Sequence, residues 1–519
     1  MRQSVDINDM FDSALAYPLS NLDKNNQWVR MADNLPWDEI ERMYLKRLNN
    51  HRLGAPNKPA QMVIGAMIVK HMKGLSDKAT IEEIQENPYL QYLCGLRYFT
   101  TKPLFCSELF VSIRARLDEE FMNQLTLILQ KAAKGKKVHF PHNEDDNNQS
   151  QDSNSDAAST HPKDQASSSS DLKHAGVMKI DATCTPAEVR YPTDINLLED
   201  GSRLINRVIE KISKATGNKP LDTNRKKTRE CFVYYTKKKH KGKRLRKSTK
   251  RQMIHYLSED LKSFLNWMAM MHSTAIDVLT RYEVQTLKAT FEMLRQQQEM
   301  FSKNLSHCAN RIISIFQPHI RPIVRGKAAR KVEFGAKIGV CLCGGYAYID
   351  HLSWDAYNES TDLRTHLENY KARFGCYPKE VQADKIYLNR DNRDILKSLR
   401  IECHCAPLGR PPHRTDPDKL ERRRRASCER NEIEGSFGLI KRRYRADNIR
   451  AKLKETSPTW IGMCLFVRNL KKFLGELFFA LSKMRLFGWF LAIFTSEFQL
   501  CPQPVLKYEN LVICRKGLN

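Results

Sequence analysis

Three acidic residues, Asp181, Asp384 and Glu434, have the types and placement for metal-assisted chemistry. Asp181 falls near the end of the apolar run Gly176–Ala182, and Asp384 closes the run Glu380–Asp384. Each sits at the C-terminal end of a predicted strand, where open α/β sheets place functional groups. Glu434 lies in a predicted helix, within Arg430-Asn-Glu-Ile-Glu-Gly-Ser-Phe437. Two strand-end aspartates and one helical glutamate can converge, and three hard oxygen donors at one point suit Mg²⁺, with Mn²⁺ as a substitute. Two such ions ~3.5–4 Å apart clamp the entering and leaving oxygens of a phosphodiester displacement. That chemistry needs neither a cysteine nor a histidine base. Lys441 lies two helical turns beyond Glu434 and so shares its face, one side chain for metal and the other for phosphate.

The elements that must position these residues read off in order. Residues 1–132 are helical by pattern. Pro36 and Pro59 open helices, and the helix 60–73 is broken by Gly74-Leu75-Ser76, whose serine can cap a short helix, 77–86. Two short helices about a glycine turn have the shape of a helix-turn-helix. Residues 133–175 form a polar linker, with Leu172 the one large apolar residue between 142 and 173, too little to offset the entropy of ordering. After the strand 176–182 comes a helical insertion over about 196–330. It has no glycine or proline from Arg251 to Gln317, which predicts helix throughout. A hairpin around Gly344-Gly345, a helix at 361–373, the strand 380–384, a helix at 390–399, a strand at 401–406 and a basic helix at about 421–444 complete a mixed α/β sheet with helices on its faces. Within an apolar tail over 471–519, the stretch Phe473–Phe494 reads as a buried C-terminal helix, with an interfacial or hydrophobic tail as the alternative; its longest uncharged run, 486–496, is about half of what a membrane span needs.

Charge points to the partner. The chain has 519 residues, with 86 Lys and Arg against 59 Asp and Glu, a net charge of +27. Such an excess calls for a polyanion. Residues 225–251 hold 14 Lys or Arg in 27 positions, interleaved with Phe232, Tyr234 and Tyr235, and Lys237, Lys238, Lys239 and Lys241 form its densest run. A hydrophobic content of 41% excludes a wholly disordered chain, and a mean hydropathy of −0.56 argues against a multi-span membrane protein. Fourteen cysteines without a CxxC pair, and an acidic N-terminus without an apolar leader, read as reduced thiols in the cytoplasm. Cys341 with Cys343, and Cys403 with Cys405, alternate on predicted strands; a shared zinc site is conceivable, but buried reduced thiols are commoner. No phosphate loop of the Walker type is present, so ATP use is not indicated.

At these residues the sequence resembles the DDE transposases of bacterial insertion sequences, the group with an InsH-type N-terminal domain. The resemblance rests on Pro59-Ala-Gln-Met-Val, Glu86-Asn-Pro-Tyr-Leu-Gln-Tyr92, Lys179-Ile-Asp-Ala-Thr183, Tyr191-Pro-Thr-Asp-Ile-Asn-Leu-Leu198, Ile320-Arg-Pro-Ile-Val-Arg-Gly-Lys327 and Ala383-Asp-Lys-Ile-Tyr387. It is sharpest at Arg430, Glu434 and Lys441, which keep the spacing of the family's final-helix signature, while Ser427 replaces its tyrosine. The resemblance implies an α/β RNase H-like catalytic core, 176–470, with a large helical insertion, preceded by an all-α DNA-binding domain. It implies Asp181, Asp384 and Glu434 as catalytic metal ligands, with Arg430 and Lys441 contacting DNA beside the cleaved phosphate. It further implies double-stranded DNA as partner, at element ends and target, a homo-oligomer on those ends, and a cytoplasmic, nucleoid-associated protein. The alternatives are an RNase H-like nuclease and a non-enzymatic DNA-binding protein derived from a transposase; intact acids at all three positions favour the enzyme.

Overall fold

The computed structural model describes residues 18–48, 56–135, 174–271, 277–324, 332–409 and 416–497, with side chains to 479. Most of the polar linker, and the tail beyond 497, lie outside these residues.

The N-terminal helices are α1 (Gln27–Asn34), α2 (Trp37–Arg47), α3 (Ala60–Lys73), α4 (Asp77–Glu86), α5 (Pro88–Leu93), α6 (Leu109–Arg116) and α7 (Glu119–Gly135). Their ends follow local chemistry. Pro36 and Pro59 stand at the N-caps of α2 and α3. Gly74 terminates α3 at φ 68°, a left-handed conformation that glycine adopts without steric cost, and Ser76 Oγ accepts from Ala79 N at 3.1 Å to start α4. Helix α3 is the centre of this region, with Val63, Ile64, Ala66, Met67, Ile68 and Val69 all buried.

The sheet has five strands: β1 (Val177–Pro186), β2 (Arg321–Val324), β3 (Val332–Cys343), β4 (Tyr346–Ser353) and β5 (Glu380–Ala383). β3 pairs antiparallel with β1 on one side and with β4 and β2 on the other, and β5 adds parallel to β1. Gly344 and Gly345, at φ 57° and 78°, make the predicted β3–β4 hairpin. Strand β1 runs past the expected end at Ala182, because Thr183, Cys184 and Thr185 keep pairing with β3. Asp181 is therefore a mid-strand residue.

One core joins both regions. Met178, Ile180, Ile338 and Val340 of the sheet, Phe121, Leu125 and Leu129 of α7, and Trp460, Phe466 and Phe473 of the last helix belong to a single buried cluster. The edge of β4 is covered by amide side chains rather than by another strand. Asn123 of α7 exchanges two hydrogen bonds with Ile349, at 2.7 and 2.9 Å. Asn469 does the same with Ala347, at 2.9 and 2.8 Å.

The insertion comprises α8 (Asp194–Thr216), α9 (Arg225–Lys237), α10 (Lys243–Met270) and α11 (Arg281–Ser302), and it has its own core around Leu198, Ile209, Met253, Leu257 and Met293. Two expectations need correction. Helix does not continue to Gln317: α11 stops at Ser302, and Asn304 and Asn310 take φ 49° and 51°, a left-handed region that asparagine tolerates. The insertion also ends before 330, since Arg321–Val324 is β2 of the sheet.

After α12 (Leu363–Phe374), β5 and α13 (Arg390–Ser398), the chain enters α14 (Pro417–Tyr444) and α15 (Ser457–Glu497). Arg445 closes α14 in the left-handed region, at φ 60°. The boundary expected at 470/471 falls inside α15, which continues across it unbroken. Among the described residues no helix is long and apolar enough to cross a membrane.

Candidate active site

Strand register brings two of the three acids together. Ile180 of β1 pairs with Ala383 of parallel β5, so Asp181 and Asp384 are the next residues on neighbouring strands, whose backbones run about 4.8 Å apart. Asp384 follows the last residue of β5, where its Oδ1 accepts from Lys385 N at 2.8 Å and caps a short 3₁₀ turn. Asp181 points with Lys179 to the face covered by α14: Lys179 Nζ reaches Glu432 Oε2 at 2.7 Å, and Arg430 lies 3.6 Å from Asp181 Oδ2.

The third acid, Glu434, is linked through Arg430. The guanidinium of Arg430 pairs with Glu434 Oε1 at 3.2 Å, one helical turn on, while also facing Asp181. A cation thus already lies between two of the carboxylates. Glu434 is half exposed, whereas Asp181 is 16% exposed. Burial pushes the Asp181 carboxyl up to about 6; the neighbouring acids Glu359 and Asp384 add to the rise, and the Ala182 amide and Arg430 oppose it. Among the described residues no group of three acidic, histidine or cysteine side chains is drawn together closely enough to hold one metal ion.

Residues not singled out from sequence surround this centre. Glu359, on a 3₁₀ turn before α12, is 19% exposed and paired with Lys337 at 2.9 Å; Lys337 also donates to Tyr357 O and lies 4.6 Å above the Tyr357 ring. Tyr387 is fully buried, and burial with the nearby Glu359 and Asp181 charges holds its hydroxyl well above the usual range. In sequence, Glu359 carries no signal of its own, lying just before the helix predicted at 361–373.

The cationic residues divide into two sets. Lys441 lies on α14 beyond Glu434. Lys237, Lys238, Lys239 and Lys241 lie at the exposed tip between α9 and α10, with Lys238 4.7 Å above Tyr234 and Lys241 5.5 Å above Tyr235. None of these four has a carboxylate partner among the described residues, whereas at the base of the hairpin Arg225 pairs with Glu210, Arg229 with Glu199 and Lys250 with Asp194. Cys341 and Cys343 are buried, their Sγ atoms 3.0 Å apart, and Cys403 and Cys405 are part-buried; all four are free thiols.

Comparison with known proteins gives two family matches. Residues 18–116 match a transposase domain (DUF772), and residues 381–471 match a transposase DDE domain. The second match takes in Asp384, Arg430, Glu434 and Lys441 but not Asp181. A curated relative from Rhizobium meliloti, uncharacterized protein ORF8 in the nfe locus, is 25% identical over 124 residues. That alignment covers 24% of this chain and 58% of the relative. No solved structure matches.

Proposed function

We propose, for a chain that carries both the N-terminal and the DDE domain of an insertion-element transposase, that it binds the ends of its element, cleaves DNA strands there and joins them to target DNA. The observation that carries this reading is the register of β1 and β5, which sets Asp181 beside Asp384, with Arg430 of the covering helix facing Asp181 and pairing with Glu434. The sheet, with β1 antiparallel to β3 and parallel to β5, supports an RNase H-like core.

The donor types suit a hard divalent cation, Mg²⁺ or Mn²⁺, although the three carboxylates are not drawn together around one point and Arg430 lies between Asp181 and Glu434, so the ion would take the place that guanidinium now holds. Asp181, Asp384 and Glu434 would hold it, and when bound it supplies charge stabilisation to the oxygens of the displaced phosphodiester. The chain's own residues do the rest. Arg430 and Lys441, on one helix, hold the phosphate beside the acids. The uncompensated lysines at the α9–α10 tip bind backbone phosphates regardless of sequence. Attack by water breaks a phosphodiester into a 3′-hydroxyl and a 5′-phosphate, and attack by that hydroxyl on a target phosphodiester forms the new ester while the target strand's own 3′-hydroxyl leaves. The protein acts as a homo-oligomer on paired ends, in the nucleoid.

The test is Mg²⁺-dependent nicking of end-containing DNA beside a gel shift, with Asp181→Asn, Asp384→Asn and Glu434→Gln. Each is expected to lose nicking and keep binding. A variant that nicks at the wild-type rate removes its acid from the site. Nicking without joining by the wild type favours the nuclease, and binding without either favours the non-enzymatic protein.

A further inference from the structure

A cavity of about 820 Å³ opens where the segment leaving β1 meets the insertion. Three stretches of chain that line it are tied to one another. Glu188 N donates to Ile449 O at 3.0 Å, and Ile449 N to Pro186 O at 2.9 Å. Gln317 Nε2 donates to Glu188 O at 3.0 Å. One face of α8 forms a wall, because Asn196, Asp200, Arg203 and Arg207 recur at helical spacing. Charge in this cavity does not cancel. The four carboxylates in its walls, Asp77, Glu188, Asp200 and Glu283, each already face a cation. Arg207 and Lys452 also line it, are exposed, and have no carboxylate partner among the described residues.

Tyr191 lines the same cavity and is 72% exposed, yet its backbone is fixed. Thr193 N donates to Tyr191 O at 3.0 Å, and Asn196 Nδ2 donates to the same carbonyl at 2.9 Å. Thr193 in turn caps α8, its Oγ1 accepting from Asn196 N at 3.1 Å. Phe334 of β3 meets the Tyr191 ring edge to face, with centroids 5.9 Å apart and planes at 80°. An aromatic ring held in this way has little freedom left to lose when a planar group lies on its open face, which makes it a preorganised platform.

We propose that this cavity seats one unpaired nucleotide of a DNA strand, with its base laid on Tyr191 and its phosphates against Arg207 and Lys452. The volume falls within the ~300–1,000 Å³ usual for small-ligand sites, so a single nucleotide enters and a duplex does not. Stacking sets the class of ligand: every base has a π-face, so an open aromatic ring beside uncompensated cations is a sequence-tolerant seat for a single strand. The seat is separate from the acids. Asp181 lies on the same strand five residues before Pro186, about 17 Å along β1, and Tyr191 comes later still. A strand that reaches both has left its duplex beside the cut. The inference rests on DNA being the substrate, and it adds a single-strand contact that the tip lysines, which meet backbone phosphates of any duplex, do not provide.

The experiment uses the full-length chain, with a fluorescent oligothymidylate and a fluorescent duplex followed by anisotropy across a salt series, and thymidine monophosphate followed by thermal shift. Tyr191→Ala is expected to weaken binding of the single strand on the order of ten-fold, the usual scale of one base–aromatic stack, and to leave duplex binding and Tm as in the wild type. Tyr191→Phe, which keeps the ring, is expected to hold wild-type affinity. Arg207→Gln/Lys452→Gln is expected to make the log–log salt slope of single-strand binding shallower by about 1.4, near 0.7 for each phosphate no longer neutralised. If Tyr191→Ala binds the single strand with wild-type affinity while loss of the tip lysines weakens duplex binding, the seat is overturned and the DNA reading stands. If Tyr191→Phe loses as much affinity as Tyr191→Ala at unchanged Tm, the ring face is not what binds and stacking is overturned. If thymidine monophosphate raises Tm through Tyr191 while the oligothymidylate is indifferent to that residue, the cavity holds a free nucleotide and its assignment to a strand is overturned. If the wild type binds neither single strand nor duplex, the DNA reading fails and this inference with it.

Discussion

The sheet-centred core and the core of the insertion are built from the same kinds of aliphatic side chains but are coupled to the rest of the chain in different ways. The first draws on both ends of the sequence: α7 and α15 sandwich the β4 edge, with Asn123, Gln130 and Asn469 hydrogen-bonded directly to the strand or its side chains. The second is a local bundle whose stabilising contacts are nearly all internal, tied to β1's outgoing segment by bonds such as Gln317 Nε2 to Glu188 O at 3.0 Å. The acids sit on the first and the densest unpaired cations on the second. Chemistry demands fixed carboxylates, since small misplacement is costly in rate, whereas counterion release asks only that charge be near phosphate. On the proposed function, the core drawn from both ends of the chain carries the acids and the local bundle carries the charge.

The largest expected effect lies in the fixed region. Asp384→Asn keeps size and removes a full charge one register step from Asp181, so the nicking rate should fall about 10³-fold or more while gel-shift affinity holds. Loss of binding in the same preparation would make Asp384 a structural residue and dissolve the division of labour.

Next come two truncations of matched type. Ile338→Ala in β3 and Met293→Ala in α11 each empty a fully buried position and should each cost about 2–5 kcal/mol. Hydrogen exchange should separate them. Met293→Ala should speed exchange within 194–302 alone, and Ile338→Ala should speed it in α7 and α15 as well. Equal deprotection of α7 by both would show a single cooperative unit.

The sheet-centred core should also be the acid-sensitive one. Burial lowers the His71 imidazole from 6.5 to about 3, so the unfolded chain takes up its proton first as pH falls. The stabilisation is whole above pH 6.5 and is lost as pH drops from there toward 3, at up to about 1.4 kcal/mol per pH unit. His71→Leu should flatten that slope for α3 and α15 and leave the insertion untouched. An unchanged slope would place the sensitivity elsewhere.

The smallest effect on the fold should come from the tip. Replacing Lys237, Lys238, Lys239 and Lys241 with Gln should alter stability by less than about 0.5 kcal/mol and still reduce the salt slope of duplex binding. A slope equal to the wild type's would mean those charges face only solvent.

Sequence was most informative where local chemistry decides. Proline, glycine and serine at 59, 74 and 76 set helix ends that the structure reproduces, and Gly344-Gly345 set the hairpin. It was least informative where tertiary pairing decides. Thr183–Thr185 extend β1 because β3 is there to pair with them, and this turned an expected strand-end aspartate into a mid-strand one. Absence of glycine and proline did not keep 303–317 helical, because two asparagines supplied the left-handed turns. The two aspartates and the helical acid could be named from residue type, but the salt link of Arg430 to both Asp181 and Glu434 is a consequence of how α14 crosses β1, and Glu359 entered only through the fold of the turn before α12.

The amide-sealed edge of β4 has a consequence for damaged copies of the coding sequence. Asn123 and Asn469 reach the same strand from positions 346 residues apart, so the strand is closed only when nearly the whole chain has been made. A product cut short before α15 would leave Ala347 with an open N–H and C=O on a strand that carries Tyr346, Tyr348 and Ile349, a template for pairing with other chains. Truncated chains should therefore precipitate or be degraded rather than persist in solution.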